Sequence, residues 1–374
     1  MPRLLYVVNI PRFFVSHRLP LALAAREAGY EAHVATAADD AANVERIRAT
    51  GLPFHPLPLA QHGTHPLAEA RTLGAIYQLY RTLRPDIVHH VSIKPVIYGG
   101  LAARLAGVPA VVGAVSGLGY VFTAAGFQPR LLRRLIGPLY RLALAYPPTR
   151  LIFQNPDDRD RFVRLGLIDP ARAVLIRGSG VDVSVFTPQP EPDGPPVILF
   201  AGRLLWEKGV GTFVEAARRL GETARFVVVG YPEPSSPDAV PLDQLTAWAG
   251  ERLIEWWGRR EDMPAVFAQS HVVVLPSTYG EGVPKVLIEA AACGRAIVTT
   301  DAPGCREIAR HGENGLLVPP GDLDALVGAI RTLAGDADLR RRLGERGRAI
   351  AVAEFSLDRV VRETLAVYEE LLGK

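Results

Sequence analysis

Short apolar runs alternate with stretches of helical spacing along all 374 residues. The first half gives "LLYVV" (4–8), "EAHVAT" (31–36), "DIVHHV" (86–91), "AVVGAV" (110–115), "LIFQN" (151–155) and "AVLIRG" (173–178). Between the first two lies "SHRLPLALAAREAGY", which reads as one helix opened by His17 and closed by Gly29. A proline-rich polar stretch follows at 185–196, the composition of a linker. The pattern then restarts with "VILFAG" (197–202), "RFVVVG" (225–230), "LIEWWG" (253–258), "HVVVLP" (271–276), "AIVTT" (296–300) and "LLVPP" (316–320). Near-continuous apolar strands separated by helices predict parallel sheets covered on both faces. The pattern therefore predicts two doubly wound α/β domains, at 1–184 and 197–352. A terminal amphipathic helix at 353–374 carries Phe355, Leu357, Val360, Val361, Leu365, Tyr368 and Leu372 on one stripe. In such sheets ligands bind at the carboxyl ends of the strands, which here means a central cleft between the domains.

Composition narrows the classes. Two domains suit this length, and 48% hydrophobic residues can fill two cores. No apolar run reaches the ~18 residues of a membrane span, and the N-terminal run is read as a first strand rather than a signal peptide. Two cysteines, Cys293 and Cys305, without ligand spacing argue against a zinc site or disulfide framework and fit a reducing cytoplasm. Residues 1–185 carry 21 Lys and Arg against 12 Asp and Glu, and the remainder 21 against 27, so the halves hold +9 and −6. The basic half suits something anionic. Its charges are scattered and no nucleic-acid motif accompanies them, which leaves a diphosphate or an anionic membrane surface.

Candidate chemistry lies at strand ends. In "AGRLLWEKG" (201–209), Gly202 and Arg203 leave a strand and Lys208 follows. Two cations there can neutralise a diphosphate, Arg as a fork and Lys as a point charge, or form a solvated loop pair. In "STYGEGVPKVLIEAAACG" (277–294), Pro284 suits the first turn of a helix over 284–293. Backbone amides of Gly282, Val283, Lys285 and Val286 then gather at its positive end, a ready phosphate site. Glu281 precedes that helix and Glu289 lies inside it, so they sit at different depths and need not form a catalytic pair. Glu281 is also read as a helix-dipole partner and Glu289 as a salt-bridged helix residue; embedded in apolar surroundings, Glu289 needs a partner. The dinucleotide fingerprint is absent, since "GLGYVF" (117–122) has Gly117 and Gly119 but Phe122 in the third place. His17 and Arg18, the strand-end His89 and His90 with Lys94 beyond, and Ser116 complete the cleft candidates; each histidine is equally read as structural. No His, Asp or Glu cluster has metal-ligand spacing, so no metal is expected. Residues 127–146 form a basic amphipathic segment, either membrane-interfacial or an ordinary helix with a solvated face, with Gly137 and Pro138 suggesting two short helices.

Together these pieces resemble the retaining glycosyltransferases of the GT-B fold, family 4. "GRLLWEKG" is similar to that family's diphosphate loop, Glu281 to Glu289 matches its E-x7-E motif, and "FSLDRVVRETLAVY" resembles the helix that crosses back onto the first domain. The resemblance implies that Arg203 and Lys208 hold a donor diphosphate, joined by amides at 283–286. It implies that Glu281 contacts the donor sugar and Glu289 the ribose. "WGRREDM" resembles the base-contacting loop, so Arg259 and Arg260 would flank the nucleobase. Two departures stand out. "PRFFVSH" occupies the place of a Gly-Gly loop, with His17 matching the Ser-His that follows it, and Ser116 stands roughly where many members carry a histidine.

In the first half, "SHRLPLA", "HHVSIKPVIYGGLAA" and "SGLGYVFT", with "PGCREIA" later, resemble bacterial enzymes that build undecaprenyl-diphosphate-linked glycans. The implied function is transfer of a hexose or N-acetylhexosamine, with retention, from a UDP-sugar to a lipid-diphosphate-linked saccharide, by a cytoplasmic protein associated with the membrane's inner face. A GT-B-fold nucleotide-sugar epimerase, a transferase with a soluble acceptor and a non-enzymatic nucleotide-sugar binder are the competing readings.

Overall fold

The computed structural model describes residues 1–373 apart from 60–64, 118–126, 147, 234–235 and 279. It divides into two compact units, Met1–Ser179 with Leu357–Lys374, and Gly180–Ser356.

In the first unit seven parallel strands are described: β1 (Arg3–Val8), β2 (Glu31–Thr36), β3 (Phe54–Pro56), β4 (Ile87–Val91), β5 (Ala110–Val115), β6 (Thr149–Phe153) and β7 (Ala173–Leu175). Their order is β3-β2-β1-β4-β5-β6-β7. Successive side chains point to opposite faces, and both faces are covered. Leu4, Tyr6 and Val8 pack with Phe14, Leu21 and the terminal helix residues Val360 and Tyr368. Leu5 and Val7 pack on the other face with Ile76, Tyr80, Val88 and Val111. This two-sided burial is why the strands read as unbroken apolar runs.

In the second unit six parallel strands are described: β8 (Val197–Ala201), β9 (Arg225–Val229), β10 (Glu255–Trp256), β11 (Val272–Leu275), β12 (Ala296–Thr300) and β13 (Gly315–Val318). They run β10-β9-β8-β11-β12-β13. In each sheet the chain winds outward from its first strand, then returns to that strand's other side. The strand order therefore reverses between β1 and β4, and between β8 and β11. Crevices for ligands open at such switch points, beyond the carboxyl ends of the strands.

Four expectations are corrected. The chain before Gly29 forms two helices, Pro11–His17 and Leu19–Glu27, so His17 ends the first helix instead of opening one. The two are joined at Arg18, with a proline in the first turn of each supplying the fixed φ that favours a helix start. "PRFFVSH" is therefore helical where a loop was expected. The segment Phe127–Leu144 is one continuous helix with Pro138 inside it. Residues 185–196 belong to the second unit and are fastened to it: Glu191 takes both arms of a fork from Arg340, at 2.8 and 3.0 Å, and Arg295 donates to the Gln189 carbonyl. The expected linker is thus a strap along one unit, and the division between units falls at 179/180. The terminal helix Leu357–Leu372 packs with the first unit, against the helix Leu19–Glu27 and β5.

Candidate functional site

The β8/β11 switch point brings together Lys208, Glu281 and Ser277. Leaving β8, Gly202 and Arg203 lead into a short 3-10 turn, Trp206–Lys208. Leaving β11, the chain runs through Ser277 to Glu281. The two segments are bonded to each other: the Thr278 amide donates to the Glu207 carbonyl at 3.0 Å and the Ser277 hydroxyl to the same carbonyl at 3.3 Å. That scaffold brings the Lys208 ammonium onto Glu281 Oε1, an oxygen that also accepts from the Ser277 hydroxyl at 3.1 Å. Glu281 is 9% exposed. Lys208 thus sets a cation against this buried carboxylate, and burying a carboxylate without one costs several kcal/mol.

Two glycines permit the approach. At Gly209, φ is +82° and a Cβ would stand 2.2 Å from the Pro276 carbonyl oxygen. At Gly304 a Cβ would stand 1.1 Å from the Gly282 carbonyl oxygen and 2.6 Å from that of Glu281. The helix Pro303–Ile308 thus presses its first turn directly beneath the Glu281 loop. Cys305 on this helix is buried, and burial, reinforced by the Glu281 charge, pushes its thiol up to about 12.

Beyond Glu281 the helix Lys285–Ala292 begins one residue later than expected. Pro284 is its N-cap, extended at ψ 118°, and does not lie inside the first turn. The correction leaves the amides of Gly282, Val283, Lys285 and Val286 around the positive end of the helix, where anions are favoured. Glu289 is 8% exposed, and its partner is Lys285, one turn earlier at 3.4 Å. Burial raises its carboxyl above the usual range and Lys285 counteracts this. The two acids are equally buried, contrary to the expectation of different depths, and each has its own cation, Lys208 for Glu281 and Lys285 for Glu289.

Arg203 is half exposed and pairs with the buried Glu233 at 3.2 Å. Asp238, in the same region, accepts from the Glu207 amide at 2.8 Å. Glu207 is half-buried; burial and the neighbouring Asp238 raise its carboxyl. Arg259 and Arg260, just after β10, pair with Glu261 at 3.3 Å and Asp262 at 2.7 Å. Ser277, Glu233 and Gly304 were not singled out from the sequence. Ser277 four residues before Glu281 was a readable cue; nothing in the sequence links Glu233 or Gly304 to the site.

The first unit is different. His90 lies within β4, not in a strand-end loop; it is fully buried, with the Tyr80 hydroxyl at 2.7 Å, and burial pushes it down to about 3. The strand-end reading fails because β4 is central and covered on both faces. His89 bonds through Nδ1 to Tyr368, whose hydroxyl lies 3.2 Å from that of Tyr6. Burial, then Arg18, holds His89 well below its usual range. Arg18 is 5% exposed, so it too is an interior residue. His17 stays half-buried, its Nδ1 2.6 Å from the Ser16 hydroxyl and its ring stacked on Phe13. At the exit of β4, Ser92 holds φ +81°, a strained value for serine. Beyond it Lys94 pairs with Glu69 at 2.7 Å. Ser116 and Gly117 leave β5, and Gly119 lies outside the described residues.

Known proteins share both the sequence and the fold. Residues 3–155 match the family model "Glycosyl transferase 4-like" and residues 195–336 "Glycosyl transferases group 1". An N,N'-diacetylbacillosaminyl-diphospho-undecaprenol alpha-1,3-N-acetylgalactosaminyltransferase from Campylobacter jejuni is 27% identical over 95% of both chains. A UDP-Gal:alpha-D-GlcNAc-diphosphoundecaprenol alpha-1,3-galactosyltransferase from Escherichia coli is 28% identical over 72% of both. Among solved structures, Anabaena HepE in complex with UDP and glucose superposes with a TM-score of 0.83 at 19% identity, covering 99% of this chain and 100% of that one. The chain is a glycosyltransferase of the GT-B fold, with a glycosyl transferase 4-like first half and a group 1 second half.

Proposed function

We propose that the protein transfers a hexose or N-acetylhexosamine from a UDP-sugar to a lipid-diphosphate-linked saccharide, with retention of anomeric configuration. The observation that carries the reading is the Lys208–Glu281–Ser277 cluster at the β8/β11 switch point, beside the N-terminus of the helix Lys285–Ala292. The relatives named above act on undecaprenyl-diphosphate-linked sugars, and HepE binds UDP, which supports the same donor and acceptor classes here.

The chemistry follows from the charges. The departing diphosphate gains negative charge in the transition state. Arg203, Lys208 and the amides of Gly282, Val283, Lys285 and Val286 stabilise that charge without reorganising, the most effective form of electrostatic catalysis. Glu281 accepts from hydroxyls of the donor sugar near the reacting carbon. A carboxylate so near a diphosphate would repel it, and Lys208 removes that repulsion. Glu289 accepts from the ribose hydroxyls, while Arg259 and Arg260 flank the base. The leaving phosphate takes the acceptor's proton on the face it leaves, which gives retention without an enzyme nucleophile. His17, Lys94, Ser116 and Gly117 serve the acceptor in the first unit.

Among the described residues no helix is long and apolar enough to cross a membrane. We infer peripheral association with the membrane's inner face through the helix Phe127–Leu144, on which Leu139 and Leu142 are exposed. Mass spectrometry of products from a panel of UDP-sugars with undecaprenyl-diphosphate-sugars tests transfer. A lipid product one sugar heavier is expected, and free UDP with an altered sugar and no acceptor product indicates an epimerase instead. Flotation with anionic liposomes tests the membrane contact, which fails if the protein stays at the bottom of the gradient.

A further inference from the structure

The chain leaving β4 departs from ordinary geometry repeatedly, beside the β1/β4 switch point where a sheet of this type opens a ligand crevice. Ser92 holds φ +81°. Pro95–Gly99 winds as a π-helix, a rare form found frequently at functional sites. Gly99 lies so close to β4 that a Cβ there would stand 2.4 Å from His90 Nε2. A serine at positive φ is strained, and such strain persists where the surrounding structure holds it, typically at binding and catalytic sites.

This turn carries a cation and meets an acid from another element. Lys94 caps the π-helix, and its ammonium lies 2.7 Å from Glu69 Oε1. Glu69 belongs to the first turn of the helix Pro66–Leu83. That helix runs back along the sheet. Its last residue, Leu83, accepts at 2.9 Å from Arg3 at the start of β1, so Glu69 stands at the opposite, carboxyl edge. Tyr98, on the π-helix, donates its hydroxyl to Glu69; burial, then that carboxylate, raises the phenol to about 12. The Lys94 and Glu69 side chains keep 18% and 16% of their surface open, so the pair is largely withdrawn from water and still reaches it at the edge of the sheet.

The two charges cancel, and that selects the ligand's chemistry. A phosphate would gain Lys94 but meet the Glu69 carboxylate. A sugar hydroxyl suits both, since it donates to the carboxylate and accepts from the ammonium, each a charge-assisted bond. Resting on the saccharide acceptor proposed above, we infer that Glu69, Lys94 and Tyr98 form the subsite that grips a hydroxyl of the acceptor sugar, with the acceptor's diphosphate held elsewhere. Glu69 and Tyr98 are then specificity-determining residues. An acceptor lacking that hydroxyl forfeits both charge-assisted bonds and is rejected accordingly.

Steady-state kinetics on the whole chain test this with Glu69→Gln, which keeps the side chain's shape and removes its charge. The acceptor KM is expected to rise about tenfold or more, the loss of a hydrogen bond to a charged group, while the Kd for UDP keeps its wild-type value. Acceptors that each lack one hydroxyl separate recognition from folding. Against the one lacking the gripped hydroxyl, wild type and variant should have equal KM. An unchanged acceptor KM, or the same penalty against every acceptor in the series, overturns the inference. Should Glu69→Gln not fold, Tyr98→Phe decides it, a few-fold rise in acceptor KM supporting the subsite and no change contradicting it. A wild-type chain that binds UDP but transfers to no lipid-linked saccharide removes the proposed function and the subsite with it. Wild-type transfer that Glu69→Gln leaves intact removes the subsite alone.

Discussion

The two units present their polar residues at the same topological position in opposite ways. Beyond the carboxyl ends of the second unit's strands lie four ion pairs, Lys208 with Glu281 and Lys285 with Glu289 after β11, Arg203 with Glu233 after β8 and Arg260 with Asp262 after the edge strand β10. Their exposure ranges from nearly buried to half open, the condition in which a polyanionic ligand can exchange partners with them. At the β1/β4 switch point the corresponding polar groups are interior. Tyr368 bonds to both His89 and Tyr6, His90 bonds to Tyr80, and Arg18 has no acid partner among the described residues. The second unit keeps its charges there in balanced pairs; the first buries aromatics, imidazoles and Arg18, with one ion pair, Lys94 and Glu69, beyond the end of β4. Charge pairing, more than the presence of titratable residues, separates a ligand site from a polar core.

The largest effect expected is on catalysis. Glu281→Ala and Lys208→Ala should each lower kcat/KM by about 10²–10³-fold, the scale seen when one preorganised electrostatic group is lost. Because the two residues share one ion pair, the double variant should fall well short of the product of the single effects. Steady-state kinetics on a lipid-linked acceptor reads both outcomes, and full additivity would show that the pair does not act as a unit. Next comes Gly304→Ala. The added methyl meets the Gly282 carbonyl at 1.1 Å, so the Glu281 loop must move. Activity should drop together with stability, by about 2 kcal/mol or more in denaturant unfolding.

For the first unit, Tyr368→Phe removes the hydroxyl shared by His89 and Tyr6 and should cost about 1–3 kcal/mol, the range for a buried polar group left without its partner. Turnover per folded molecule should change little. His90 gives the comparison a pH axis. Its folded value, about 3, lies below the unfolded ~6.5, so between these the unfolded chain binds more protons and stability falls as pH falls. Asp158, raised to about 6 by burial, contributes with the opposite sign. The informative quantity is therefore the difference between wild type and His90→Gln, whose stability gap should narrow from pH 7 to pH 4. The smallest effect belongs to the exposed pair after β10: Arg259→Ala and Arg260→Ala should raise KM for the donor a few-fold and leave kcat near its original value.

Much of this was legible in the residues. β2, β5 and β12 occupy the predicted spans, because strands buried on both faces leave unbroken apolar runs. β3 escaped notice, being three residues long with Pro53 before it and Pro56 at its end. The Glu281 and Glu289 arrangement was readable because a carboxylate inside "VLIEAAA" demands a partner, and Lys285 stands one turn away. Glu233 and Gly304 were not readable: their relation to Arg203 and Gly282 exists only once distant segments fold together. His90 and Arg18 misled because sequence position relative to a strand end does not report depth. Residues 185–196 had a linker's composition, yet their fastening comes from Arg340 and Arg295, more than a hundred residues away.

The central claim is that the β8/β11 switch point holds the donor's diphosphate through Lys208. Calorimetric titration of UDP into the wild-type chain and into Lys208→Met measures it directly. The account predicts one UDP per chain and at least tenfold weaker binding in the folded variant. An unchanged Kd would contradict it.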